Sequence, residues 1–234
     1  MSIRQTNVTM LTRAAMALGP LRHDVAFLGG ATVALLLTDP AVAEVRATLD
    51  VDVILEVATR ADYYAMEETL QSLGFQHDTA EGAPICRWRH GELVLDVMPT
   101  RAGILGFANT WYAEALITAH SYPLASNLDI RLVTAPAFLA TKFEAFRGRG
   151  NGDYLLSHDM EDIVTVLDGC PDLADRATRH SDTMQTYLAA EAAGLLDNKA
   201  FHEALSGLMS PDSASQRRIP LIRERLARLA ALRP

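Results

Sequence analysis

The first clear pattern along the chain is Val25-Ala-Phe-Leu28, a short apolar run ended by Gly29-Gly30, after which residues 31–37 read as a helix. A strand, turn, helix unit is therefore predicted. Residues 49–57 alternate with β-branched side chains and predict a second strand, followed by a helix over 61–73 that Gly74 closes. Residues 85–89 and 92–98 flank His90-Gly91, a short Gly-containing link of the kind that joins antiparallel strands. Further strands are predicted at 115–119 and 130–133. From Pro136 onward the spacing turns helical, over 138–147, 158–167, 182–193, 199–209 and 218–232, with 210–215 as a linker. The predicted fold class is α+β: an N-terminal mixed β-sheet with flanking helices over 1–134, then a C-terminal helical bundle over 135–234.

Composition narrows this picture without changing it. With 234 residues, 49% of them hydrophobic and 21% charged, the chain has material for a substantial core in one large or two small domains. No apolar run approaches the ~20 residues of a membrane span and residues 1–19 lack a secretory pattern, so a cytoplasmic protein with no membrane partner is expected. Cys86 and Cys170 lie far apart and read as reduced thiols. A net charge of −8 argues against holding nucleic acid through the overall field. The basic clusters are local: Arg87, Arg89 and Arg101; Arg147 and Arg149; and a tail from 217 to 233 with six arginines against Glu224. That tail reads as a solvated face, with RNA contact as the alternative.

The candidate chemistry is acidic. Asp50 and Asp52, two apart in a strand-like run, point to one face, roughly 6.6 Å apart along the strand, a spacing suited to sharing hard divalent cations. In Glu92-Leu-Val-Leu-Asp96-Val-Met98, Leu93, Leu95 and Val97 form one face and Asp96 turns to the other. A carboxylate set among strand-forming apolar residues is costly to bury without a partner, and a cation supplies one. Taken singly, each aspartate has an ordinary structural reading as a turn or solvent-facing residue. The upstream Gly29-Gly30-Ala31-Thr32 turn adds a strand-to-helix junction where backbone amides can approach a phosphate.

Later in the chain Lys142 falls four residues from both Phe138 and Phe146, so its ammonium either snorkels to water or meets a specific anion. Asp159 and Asp162 share a helix face. Asp159 has a dipole-capping role available at the helix start; Asp162 has none, which makes it the stronger functional candidate. Gly148-Arg-Gly-Asn-Gly152 follows a predicted helix rather than a strand and so does not read as a dinucleotide loop. The seven histidines show no metal-binding spacing, and no Gly-x-Ser-x-Gly elbow occurs.

Together, Leu28-Gly29-Gly30-Ala31-Thr32 and Asp50-Val-Asp52 resemble the opening motif of the polymerase-β-type nucleotidyltransferases. Lys142, Arg147, Arg149 and Asp159-Met-Glu-Asp162, in that order, narrow the likeness to the AbiEii-like toxins of type IV toxin-antitoxin systems. The resemblance covers roughly residues 27–167. It implies Mg2+ (or Mn2+) on Asp50, Asp52 and Asp96; catalytic roles for those three with Lys142 and Asp162; and nucleotide contacts from Gly29, Gly30, Thr32, Arg46, Lys142 and Arg147. It further implies transfer of a nucleoside monophosphate from a nucleoside triphosphate to an acceptor, foremost the 3′ end of tRNA, and a cognate antitoxin as partner. Nucleotidylation of a protein or of a small molecule such as an aminoglycoside, and a catalytically silent nucleotide-binding module, are the alternatives. Two departures stand out: Gly30 replaces the commoner Ser after the first glycine, and the 148–152 insertion loosens the spacing to Asp159 and Asp162.

Overall fold

A computed structural model describes residues 2–42 and 45–233, and its fold is α+β. The chain divides into two compact units, Met1–Ala34 with Ala47–Thr134, and Leu35–Arg46 with Ala135–Pro234. Where a single boundary near 134 is expected from sequence, the segment Leu35–Arg46 thus lies with the C-terminal helices. Among the described residues no helix is long and apolar enough to cross a membrane.

The first unit opens with α1 (Ile3–Leu18), which the sequence patterning leaves unread. Ser2 and Gln5 form a reciprocal capping box at its start, and Leu11, Ala14, Ala15 and Leu18 are its buried stripe. There follow β1 (Val25–Leu28), a 3₁₀ turn (Gly30–Thr32), the short α2 (Val33–Leu36), β2 (Val51–Leu55), α3 (Arg60–Ser72), β3 (Gln76–His77), β4 (Arg87–His90) and β5 (Leu93–Pro99). The unit closes with α4 (Ala102–Leu105), α5 (Tyr112–Ile117), β6 (His120–Ala125) and β7 (Leu128–Leu132).

All seven strands form one sheet in the order β3-β4-β5-β2-β1-β7-β6. The pairs β2/β5 and β1/β7 are parallel and the rest antiparallel. A mixed sheet of this kind buries its middle strands on both faces, and Val53 and Ile54, which point to opposite faces of β2, are both fully buried. Trp88, Phe27, Phe75, Leu70, Leu95 and Ile130 complete this unit's core.

Two sequence expectations fail here. Residues 115–119, read as a strand, form the end of α5 and its exit, and the strand follows at His120–Ala125. A short apolar run carries no period of its own, so strand and helix are hard to tell apart at that length. Asp50 lies just before β2 rather than inside it.

The second unit contains α6 (Ala135–Arg149), α7 (His158–Gly169), α8 (Leu173–Ala177), α9 (Asp182–Leu196), α10 (Lys199–Ala204), α11 (Ser213–Gln216) and α12 (Ile219–Ala230). The helix expected over 199–209 ends at Ala204, and α6 runs on into the glycine-rich stretch as far as Arg149. Phe138, Phe143, Ile163, Val166, Leu188, Phe201, Ile222 and Leu226 are all at most 1% exposed and make the core.

Segment Leu35–Arg46 is tied to this bundle by several bonds. Thr38 and Asp39 both donate backbone N–H groups to the Gly169 carbonyl, at 2.9 and 3.0 Å. The approach is close: a Cβ at Gly169 would press on the Leu37 side chain, which would have to shift. Arg218 joins Asp39 at 2.6 Å to Asp168 at 2.7 Å. Burial raises the Asp168 carboxyl against the lowering pull of Arg218 and Arg225. Three arginines expected on a solvated tail, Arg218, Arg225 and Arg228, are thereby bonded to this unit's own aspartates and carbonyls.

Arg218→Gln should destabilise the second unit by about 3 kcal/mol, because it leaves Asp168 buried beside a weaker set of partners. Urea unfolding of the two proteins measures the difference, and limited proteolysis should cut first within 35–46.

Candidate functional site

Registers across the sheet place the acidic residues. Leu28 pairs with Asp52, Asp52 with Asp96, and Asp96 with Arg87, so one row crosses β1, β2, β5 and β4. Paired residues point to the same face, about 4.8 Å from strand to strand. Two carboxylates therefore stand side by side on the central strands, with an arginine next in the row.

Arg87 is the residue that sequence reasoning missed. Its Nε donates to Asp96 Oδ1 and its Nη2 to both Asp96 Oδ2 and Asp50 Oδ2, each at 2.8 Å. The hydrogen bonds to Asp96 raise the guanidinium pKa above its already high ordinary value, so the group is a fixed cation. The remaining oxygen of Asp50 accepts from the Thr48 hydroxyl at 2.9 Å. Two carboxylates thus share one guanidinium. The signal for Arg87 was present in the hairpin. A link at His90-Gly91 puts Ile85 opposite Asp96, whereas the observed pairing of His90 with Leu93 shifts the register by two and brings Arg87 there.

The Gly29-Gly30 turn packs against this row. Gly29 has φ +77°, which favours glycine, and a Cβ there would fall 2.6 Å from Asp52 Cγ. The absent side chain makes room for the Asp52 carboxylate. Gly30 and Thr32 are buried, and the Thr32 hydroxyl donates to the Gly29 carbonyl at 2.8 Å, which fixes the turn from within. Thr32 was expected at a phosphate; its hydroxyl is bonded inside the turn.

The remaining expected residues lie in the second unit. Lys142 is 8% exposed and its Nζ meets Asp159 Oδ1 at 3.0 Å and Asp162 Oδ2 at 2.7 Å. Arg149 grips Asp159 with two bonds of 2.7 Å, and Arg46 grips Asp162 with bonds of 2.8 and 3.1 Å. Three cations thus surround two carboxylates. Lys142 thus does not snorkel; it is the centre of a buried network, with the Phe138 ring 5.7 Å away. Asp159 and Asp162, 3% and 1% exposed, are held equally deep, so the helix-start position of Asp159 does not set it apart. Arg147 turns elsewhere, pairing with Glu191 beside the Tyr187 ring.

Hard carboxylate oxygens are the right donors for Mg2+ or Mn2+, and Asp52 and Asp96 are neighbours in the row. As folded, Arg87 takes oxygens of Asp50 and Asp96, and among the described residues no three or more His, Cys, Asp or Glu side chains are gathered into a ready metal site. Cys86, buried nearby, has its thiol pushed up to about 12 by burial and by Asp96, and stays protonated. No protein-family model matches the chain, and no curated protein is similar enough to count as a match.

Gly29→Ala should cost about 2 kcal/mol or more in urea unfolding, through φ strain and the clash with Asp52. A second expectation concerns pH. Burial raises the Asp159 carboxyl, but Arg149 and Lys142 more than offset it, so its folded-state pKa lies below the ordinary 3.8. Such a group stabilises the fold fully above 3.8 and loses that contribution as pH falls through the lowered value. Asp159→Asn should therefore lose on the order of 3 kcal/mol at neutral pH. In a series of melting curves the gap to the wild type should close only below that value.

Proposed function

We propose that the chain is a metal-dependent nucleotidyltransferase of the AbiEii-like kind, moving a nucleoside monophosphate from a nucleoside triphosphate to an acceptor. One observation carries the reading: the parallel register of β2 and β5 sets Asp52 directly beside Asp96 with the Gly29 turn against the Asp52 carboxylate. This is the juxtaposition that the Gly-Gly and Asp-x-Asp resemblance implies, formed by residues far apart in sequence.

Asp52, Asp96 and Asp50 would hold Mg2+ or Mn2+, which when bound offsets triphosphate charge and favours ionisation of the attacking hydroxyl. Gly29 and Gly30, in the turn before the short helix, are the residues proposed to offer backbone N–H groups to phosphate oxygens. Lys142 and Arg46 are the cations proposed to contact the nucleotide, whereas Arg147, expected there from sequence, is engaged by Glu191. Lys142 is oriented by Asp159 and Asp162, and this gives Asp162 a positioning role. A tRNA 3′ end is the proposed acceptor, with an antitoxin as partner; both rest on the family likeness. Arg217, Arg223 and Arg233 are exposed arginines of the tail with no acidic partner among the described residues, a thin basic surface proposed for RNA.

The test is incubation with each labelled nucleoside triphosphate and Mg2+ or Mn2+, offering total RNA, protein and aminoglycosides in parallel. Label should enter tRNA. Asp52→Asn should lower incorporation about a thousand-fold, the factor that ~4 kcal/mol of lost transition-state stabilisation gives. Label in protein or drug instead would redirect the acceptor, and no incorporation with any acceptor would overturn the transferase reading.

A further inference from the structure

The acidic row already contains a cation of its own. Arg87 spends Nε and Nη2 on three carboxylate oxygens of Asp96 and Asp50, all at 2.8 Å. Those are the lone pairs that a small dication would use, because Mg2+ binds carboxylate oxygens directly at about 2.0–2.1 Å. An arginine in a protein cannot give up its charge, so the conflict cannot be relieved by deprotonation. It can be relieved only by movement. The Arg87 side chain is 24% exposed and sits at the first residue of β4, where an outward turn of the guanidinium leads to water.

We infer that Arg87 is the resident counter-ion of the acidic site, and that divalent cations bind by competing with its guanidinium for Asp50 and Asp96. The inference rests on the reading of Asp50, Asp52 and Asp96 as metal-holding residues. Without a dication, Arg87 relieves the repulsion between Asp50 and Asp96 and keeps the row stable. With one, Arg87 must be displaced, which weakens metal binding to the bare protein. The freed guanidinium remains beside the site, placed to meet the negative charge of a substrate phosphate. Arg87 is thus a positioning residue that sets how tightly the site takes metal.

Binding of Mn2+ alone, without nucleotide, tests this by isothermal calorimetry or by the loss of the free-ion paramagnetic signal. Wild type, Arg87→Gln, Arg87→Lys and Asp52→Asn are compared after circular dichroism has established their folding. Arg87→Gln should bind Mn2+ about tenfold more tightly than wild type, since a competing unit charge has gone. It should melt lower than wild type without metal and gain more in melting temperature when metal is added. Arg87→Lys, which keeps the charge but loses the two-pronged grip, should fall between them, and it carries the test if Arg87→Gln does not fold. Equal or weaker Mn2+ binding in the Arg87 variants, with binding lost in Asp52→Asn, would overturn the role of Arg87 alone. Absence of Mn2+ binding in every variant, or binding indifferent to Asp52→Asn, would overturn the metal-holding reading beneath it.

Discussion

The first unit depends on how it tolerates like charges placed side by side at the centre of its sheet. The parallel pairing of β2 with β5 puts Asp52 against Asp96, and the pairing of β5 with β4 puts Arg87 next in the same row. Neighbouring carboxylates at strand spacing repel, and a partly desolvated pair is worse. Arg87 answers that repulsion by bonding to Asp96 and Asp50 together, and Gly29 gives the Asp52 carboxylate space that any other residue would fill.

The second unit also holds neighbouring carboxylates with cations of its own. Asp159 and Asp162 lie on one face of α7 and are buried, and Lys142, Arg149 and Arg46 surround them. Each carboxylate receives a two-pronged arginine contact and shares the lysine, so neither is left as an isolated buried charge. A second network, built from Arg218, Asp39 and Asp168, performs the same neutralisation where Leu35–Arg46 joins the bundle. Both networks fix side-chain directions.

Much of the fold was legible where a long stretch kept one period. The helices over 61–73, 158–167 and 182–193 and the strand at 25–28 lie close to where their spacing puts them, since an amphipathic stripe specifies its element locally. Short runs were less dependable than long ones: 25–28 formed its strand, whereas 115–119 turned helical, and the helix expected over 199–209 stopped at Ala204. The α1 helix, announced by a Ser2 and Gln5 capping box, was signalled by its cap rather than by a strong stripe.

The sequence by itself determined the α+β class, the residue types able to hold cations and phosphates, and the Gly29 turn, because these depend on neighbours along the chain. Only the tertiary structure decided which charges meet. Asp52 and Asp96 are joined by strand register, and Arg87 reaches Asp96 through a hairpin whose loop lies one residue beyond the expected link. Arg46 crosses 116 positions to Asp162, while Arg147 turns away to Glu191. Charge pairs act over a few ångströms and are indifferent to sequence distance, so their partners are fixed by packing and register, which no local pattern encodes.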